Sequence, residues 1–363
     1  MNIALVHDHL NQIGGAERVV LAMHETFPSA PLYTLVHDQN IVGDFFDTLP
    51  INTSFIQRMP FSRDHLRWYL MAMPAAVESF DLSRYDVVLS SASAFGKGAI
   101  APPHAIHICY CHTPTRYLWS DSHSYVREVG GGGLIGKILP FVLQQLRVWD
   151  YLAAQRVDHF IANSHFVAER IKRYYGRESH VIYPPVDVRG YPDIPKLNYF
   201  VLVSRLRPYK KVDIAIRAFN RLNMPLVIVG DGEERKALQA ISGPKIHFTG
   251  NLSERAKKRV LAGAAGFVHP QEEDYGIAAI EAMAAGTPVV AYQAGGALET
   301  VVPGETGMFF EEQTWQSLAD AVIRLRRQSF DYGFIRQHTE QFSKERFRAE
   351  LHSFVEQKYA DRN

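Results

Sequence analysis

Cysteine is nearly absent: two occur in 363 residues, so no disulfide framework holds this chain. Cys109 and Cys111 stand one residue apart and would share a face of one strand. Two ligands are too few for a structural zinc, and the pair reads as reduced core thiols of a cytosolic protein. A dominant charge sign is missing too. Lys and Arg number 39 against 38 Asp and Glu, a formal +1, which excludes the broad positive field of a nucleic-acid binder. Long apolar runs are lacking. The longest apolar region, Leu134 to Leu146, is broken by Lys137, Pro140, Gln144 and Gln145, whereas a spanning helix needs ~18 or more apolar residues. Met1–Val6 has no basic lead and too short an apolar stretch for a signal peptide. What remains is 47% hydrophobic and 21% charged, with Gly 25 and Pro 19. Those are globular values, and the length suggests two or three domains at ~100–200 residues each.

Short apolar runs alternate with helical stretches. Strands are expected at Asn2–His7, Tyr85–Ser90, Ala105–Cys111 and Phe160–Asn163, with a helix over Ala16–Phe27. The alternation pauses at Ile182–Asp187, where Pro184-Pro185 cannot continue a helix or central strand. It restarts with strands at Phe200–Ser204, Leu226–Val229, Lys245–Thr249, Gly266–His269 and Pro288–Ala291. Helices are expected at Asp213–Leu222, Glu233–Ile241, Glu254–Ala262 and Ile277–Ala285, the last stopped by Gly286 and Pro288. This pattern predicts an α/β protein of two parallel-sheet domains, 1–185 and 186–342, facing across a cleft. In such sheets ligands bind at the carboxyl ends of strands. Gly130–Gly133 is the candidate flexible loop. Phe347, Leu351, Phe354 and Val355 make one apolar face of a closing helix in 343–363.

Three stretches carry candidate chemistry. His269-Pro270-Gln271-Glu272-Glu273-Asp274-Tyr275-Gly276-Ile277-Ala278 runs from a strand end through an acidic loop into a helix that contains Glu281. Gly276 permits close backbone approach, and N–H groups at a helix start can hold an anion. Glu281, among Ala, Ile and Met, needs a partner if ionised, a need sugar hydroxyls would meet. An acidic loop with one solvated Glu is the plain alternative. Second, Arg205 and Lys210 follow a strand and precede a helix, where fixed cations suit phosphate oxygens; a solvated basic turn is the alternative. Third, Gly14-Gly15 opens a helix without matching either the dinucleotide or the P-loop pattern. His112 closes a strand, where it is either structural or a donor to a sugar hydroxyl. No Asp-x-Asp element for a metal is present, Asp193 and Asp213 being isolated.

Taken together these residues resemble glycosyltransferase family 4, retaining enzymes of the GT-B fold, over nearly the whole chain. Glu273 and Glu281, with seven residues between, match the family's two-glutamate motif. Ser204-Arg205-Leu206 with Lys210 is similar to its Gly-Arg-Leu…Lys element, and Asn163-Ser164, Gly230-Asp231-Gly232 and Gly295–Glu299 follow in the expected order. Ser204 and Lys211 stand where the family usually has Gly. The wording around Glu273, with His112-Thr113-Pro114-Thr115-Arg116-Tyr117-Leu118-Trp119, most resembles bacterial GDP-mannose-dependent mannosyltransferases of surface-polysaccharide synthesis.

The resemblance implies that the closing helix 343–363 packs back on the first domain, the alternative being a helix lying only on the second, and it implies roles. Arg205 and Lys210 would neutralise the donor diphosphate, with Lys211 as the alternative to Lys210. Glu273 would hold hydroxyls of the transferred sugar and Glu281 those of the ribose. Gly14 and Gly15 would approach the phosphate, and His112 would lie beside the sugar. Gly230, Tyr275, Gly276, Ile277 and Ala278 would complete the donor site. No cofactor and no metal are expected. The implied activity is hexosyl transfer from a nucleotide-sugar donor, GDP-mannose, to a saccharide or lipid-linked acceptor by a cytoplasmic enzyme that meets the inner face of the plasma membrane. A UDP-sugar donor and a non-catalytic sugar-nucleotide-binding protein are the alternatives. A glycoside hydrolase would need Glu273 and Glu281 ~5–9.5 Å apart; along one helix eight residues would separate them by ~12 Å, an objection that weakens if Glu273 lies on the loop. Finally, Phe55–Met71 carries Arg58, Arg63, Arg67 and Trp68 among apolar residues. It reads either as a basic amphipathic segment lying on anionic lipid or as a core helix with a wet Arg face.

Overall fold

The computed structural model of the chain describes residues 1–46, 49–130 and 134–362. The chain divides into two compact units, Met1–Pro185 with Phe347–Asn363, and Val186–Arg346.

The first unit is built on a parallel sheet. Its strands are β1 (Ile3–His7), β2 (Leu32–Thr34), β3 (Ile51–Thr53), β4 (Val87–Ala92), β5 (Ile106–Cys111), β6 (His159–Ala162) and β7 (Ser179–Val181), in the order β3-β2-β1-β4-β5-β6-β7. Every residue of β1, β4 and β5 is buried, because helices cover both faces of such a sheet and leave no polar side. Register pairs Leu5 with Leu89 and Leu89 with Ile108. Each such side chain contributes ~1.5–3 kcal/mol on burial. Cys109 and Cys111 are free and buried, and burial pushes the Cys109 thiol up to about 12.

The closing helix runs Lys344–Arg362. Phe347, Leu351 and Val355 enter the core that holds Leu5, Ile106 and Ile108, while Phe354 packs at its margin. The region Leu134–Leu146 is helical. It belongs to one helix, Leu134–Gln155, with Pro140 inside, anchored by buried Leu139, Leu143 and Leu146. No helix among the described residues is long and apolar enough to cross a membrane. Most of the Gly130–Gly133 run lies outside the described residues.

The basic segment 55–71 does not take the form of a core helix. It holds two short 3₁₀ turns, Phe55–Arg58 and Leu66–Tyr69, rather than a helix. Pro60 explains the break, because it drives the preceding residue out of the helical region; Met59 is extended at φ −78°, ψ 149°.

The second unit repeats the plan with β8 (Phe200–Val203), β9 (Leu226–Val229), β10 (Ile246–Gly250), β11 (Gly266–His269), β12 (Val289–Tyr292) and β13 (Gly307–Phe310), in the order β10-β9-β8-β11-β12-β13. Both sheets reverse strand order at one point, between β1 and β4 and between β8 and β11. Such switch points open a crevice at the carboxyl ends of the strands.

Candidate functional site

At the second switch point the loops after β8 and β11 meet. Lys210 ends the 3₁₀ turn Pro208–Lys210, and its ammonium donates to Oε1 of Glu273. Gln271 Nε2 donates to the same oxygen at 2.8 Å and lies 3.4 Å from His269 Nδ1. Oε2 of Glu273 has no hydrogen-bond partner among the described residues. Burial alone would raise this carboxyl, but Lys210, and then His269, pull it down to about 2. Burial, with Lys210 nearby, pushes His269 below its ordinary value.

Glycine shapes this loop. Gly276 has φ +91°, and a Cβ there would stand 3.3 Å from His269 Nε2, so only glycine leaves the pocket intact. Ile277 and Ala278 begin the helix Ile277–Ala284, where backbone N–H groups lack intrahelical acceptors. Gly296 N–H holds the Glu273 carbonyl at 2.9 Å from the loop after β12. Gly230, at φ +124°, abuts the Ser204 carbonyl, which seats the Arg205 loop against the end of β9. Arg205 is exposed beside it. Tyr275 is buried with its ring edge-on to Phe342.

Glu281 has a protein partner that sequence reasoning missed. It is 4% exposed, and Lys257 Nζ donates to its Oε1 at 2.9 Å. Lys257 sits four residues before buried Leu261 on the helix Glu254–Gly263. That spacing was the available signal, hidden within a charged run. Glu273 lies on the loop before the helix Ile277–Ala284, the case in which the single-helix objection to a hydrolase weakens. Each carboxylate faces its own lysine. Lys211 adopts the left-handed conformation, φ +53°, at the position where the family usually has glycine.

The first unit gathers a cluster at its own switch point. Asp8 follows β1 and accepts N–H bonds from Ser93 (2.7 Å), Ala94 (3.0 Å) and Gly96 (2.6 Å). His7 Nδ1 lies 3.0 Å from the Ser91 carbonyl and 3.2 Å from Ser91 Oγ, and Ser91 Oγ lies 2.8 Å from His112 Nε2. Glu17, buried in the helix Gly15–Thr26, stands 3.9 Å from His7 Nε2. Burial would lower His7, yet Glu17 raises it above its ordinary value. The reciprocal pull of His7 overcomes burial and takes Glu17 down to about 2. Burial, then the charge of His7, lowers His112 to about 4. Asn163 Nδ2 fixes the His112 carbonyl at 2.8 Å. Gly14 caps the helix without a side chain, and Gly15 is exposed.

The stretch after His112 is tied down separately. Asp150 accepts from Thr115 Oγ1 (2.7 Å), Trp119 Nε1 (2.8 Å), Tyr175 OH (2.8 Å) and Lys97 Nζ (2.6 Å). Thr115 and Trp119 are thus structural anchors. Arg63, Arg67 and Trp68 lie in and before the second 3₁₀ turn; the Arg63 carbonyl accepts from Asn11 Nδ2 at 3.3 Å, and Trp68 is 68% exposed and stacks on His65 at 4.5 Å.

Comparison with known proteins fits this geometry. Residues 13–189 match the model for Glycosyltransferase Family 4, and residues 190–345 that for Glycosyl transferases group 1. A GDP-mannose-dependent alpha-mannosyltransferase of Mycolicibacterium smegmatis is 38% identical over 36% of this chain and 35% of its own length. The match therefore spans about a third of that relative. The human GDP-Man:Man(3)GlcNAc(2)-PP-Dol alpha-1,2-mannosyltransferase is 26% identical over 86% of this chain and 77% of its own. Anabaena Alr3699/HepE, solved with UDP and glucose, superposes with a TM-score of 0.73 at 18% identity, covering 98% and 99% of the two chains. Sucrose-phosphate synthase of Thermosynechococcus elongatus also gives 0.73 at 18%, covering 99% and 100%. The shared fold is GT-B, two Rossmann-like parallel-sheet domains.

Proposed function

We propose, from the premise that the chain belongs to the family 4 glycosyltransferases, that it transfers mannose from GDP-mannose to a saccharide acceptor carried on a lipid. The observation that carries the reading is the Lys210–Glu273 pair with Oε2 of Glu273 open, set at a strand-end switch point beside Arg205 and a helix start. The mannosyltransferase relatives favour the sugar and the base.

In this mechanism the bond between the sugar C1 and the diphosphate oxygen breaks, and its electron pair stays on the diphosphate. Arg205, Lys210 and the N–H groups of Ile277 and Ala278 meet that developing charge. Fixed dipoles and cations aimed at such charge lower the barrier without reorganising. Glu273, held ionised by Lys210, accepts hydrogen bonds from sugar hydroxyls through Oε2. Glu281, oriented by Lys257, takes the ribose hydroxyls. Gly14 and Gly15 approach the phosphates, and His112 lies beside the sugar. The acceptor hydroxyl oxygen forms the new bond to C1 and passes its proton to the departing diphosphate oxygen, and retention of configuration follows from the family. No metal is needed in this reading.

The test is transfer of radiolabel from GDP-mannose to a polyprenyl-diphosphate-linked saccharide, with UDP- and ADP-sugars in parallel and chelator added. Label in the lipid fraction from GDP-mannose, undiminished by chelator, upholds the proposal. Transfer from a UDP-sugar alone replaces the donor, a reading the UDP-bound structural neighbour keeps in view. Tight binding with no transfer identifies a sensor, and free mannose released from model glycosides identifies a hydrolase.

A lipid-linked acceptor calls for a surface contact. Phe61 (66% exposed) and Trp68 project beside exposed Arg63 and Arg67, a composition suited to anionic headgroups. Salt-sensitive flotation with anionic liposomes, lost in Arg63→Glu/Arg67→Glu, supports the contact; equal flotation of both proteins rejects it.

A further inference from the structure

We propose that Ser91 is a positioning residue: it fixes the single hydrogen of the His112 ring on Nδ1, so that His112 presents a neutral hydrogen-bond donor to its ligand. The inference rests on the reading of His112 as a group beside the transferred sugar.

The hydrogens of this cluster can be counted. His7 Nδ1 lies 3.0 Å from the carbonyl oxygen of Ser91. A carbonyl only accepts, so His7 Nδ1 carries a hydrogen whether the ring is neutral or cationic. That same N–H lies 3.2 Å from Ser91 Oγ, which therefore accepts on this side. A hydroxyl has one hydrogen to give. Among the described residues its remaining partner is His112 Nε2, at 2.8 Å. Nε2 is thus an acceptor and bears no hydrogen, and the hydrogen of the neutral ring belongs on Nδ1. Nδ1 has no protein partner among the described residues, and His112 is only half-buried.

The surroundings agree. The charged groups around the His112 ring are His7, Asp8 and Glu17. Burial, then the charge of His7, disfavours charge on His112 and outweighs the upward pull of Asp8 and Glu17, while Glu17 also pairs with His7. Gln12 Nε2 holds Glu17 Oε1 at 3.2 Å. Tyr110 lies edge-on to the His112 ring at 5.3 Å, and Asn163 fixes the backbone, so the ring is oriented before any ligand arrives. An Nδ1–H donor suits a hydroxyl or phosphate oxygen. It cannot take a proton at that atom, so His112 serves as a donor to the sugar nucleotide and not as a general base through Nδ1.

The experiment is a long-range ¹H–¹⁵N correlation on histidine-labelled protein, with the His112 signals assigned by their loss in His112→Asn. The expected wild-type pattern is a protonated Nδ1 and a bare Nε2 at pH 7. In Ser91→Ala the ring should shift toward the Nε2–H form that free histidine favours. With that shift kcat should fall ~10-fold, donor KM should stay within about 3-fold, and melting should be unchanged, the loss expected for one hydrogen bond. Ser91→Thr, which keeps the hydroxyl, should restore both tautomer and rate. An Nε2–H pattern in the wild type overturns the proposal. So does Ser91→Ala with unaltered tautomer and rate. A wild type that shows the Nδ1–H pattern but transfers no sugar upholds the role of Ser91 and overturns the transferase reading instead.

Discussion

Two lysine–carboxylate pairs, one in each unit, share chemistry and differ in what they leave open. Lys97 and Asp150 are each 1% exposed. Both oxygens of Asp150 are filled, Oδ1 by Lys97 and Thr115, Oδ2 by Trp119 and Tyr175. Lys210 and Glu273 sit on loops, with side chains 16% and 21% exposed. Among the described residues only Oε1 of Glu273 is occupied. A closed pair contributes to holding elements together; a half-open pair keeps hydrogen-bonding capacity for something that arrives later. The comparison assigns the first to stability and the second to binding.

The strongest challenge to that assignment is Asp150→Ala. It strands the Lys97 charge in the core and should cost about 3–5 kcal/mol of unfolding free energy, read by urea denaturation. Glu273→Gln and Lys210→Ala come next. Each should lower kcat ~10²–10³-fold, or about 3–4 kcal/mol of barrier, while the urea midpoint hardly moves. If Glu273→Gln unfolds the second unit as Asp150→Ala does the first, the contrast collapses. Glu281→Gln tests an intermediate case, a closed pair proposed to touch the ribose. Donor KM should rise about 10-fold, since ribose binding is shared by ground and transition states. Unfolding should also cost about 1–3 kcal/mol, because Lys257 loses its buried partner. An unchanged KM would place Glu281 with Asp150 as purely structural. The smallest effect is Lys211→Gly. Relieving a left-handed lysine should add about 1 kcal/mol of stability with activity intact; a loss of kcat would transfer the phosphate role from Lys210 to Lys211.

Much of the framework was legible because strands buried on both faces are largely apolar. Ile3–His7, Val87–Ala92 and Phe200–Val203 announce themselves that way. Leu32–Thr34, Ile51–Thr53 and Ser179–Val181 did not, since three residues carry no period. Pro60 was visible in the 55–71 segment and marked a break that the amphipathic reading passed over. At the site, spacing singled out Lys210, Glu273 and Glu281, because loops at strand ends keep their order along the chain. The partners Lys257, Ser91 and His7 stayed hidden. The Ser91–His7 contact joins residues 84 apart and Lys257–Glu281 residues 24 apart, and nothing local marks either end.

The return of Phe347, Leu351 and Val355 to the first unit has a consequence for biosynthesis. Val186–Arg346 is in effect an insertion whose two ends meet, Val186 bridging Ser343. Its chain is complete while the first unit still lacks the helix that fills its core. During translation the later unit can therefore fold first, and the earlier one must wait for Phe347–Asn363 to be made, about 1–3 s at ~5–20 residues per second. Until then Leu5, Ile106 and Ile108 lack part of their cover, and the nascent protein is at its most vulnerable to chaperones and proteases.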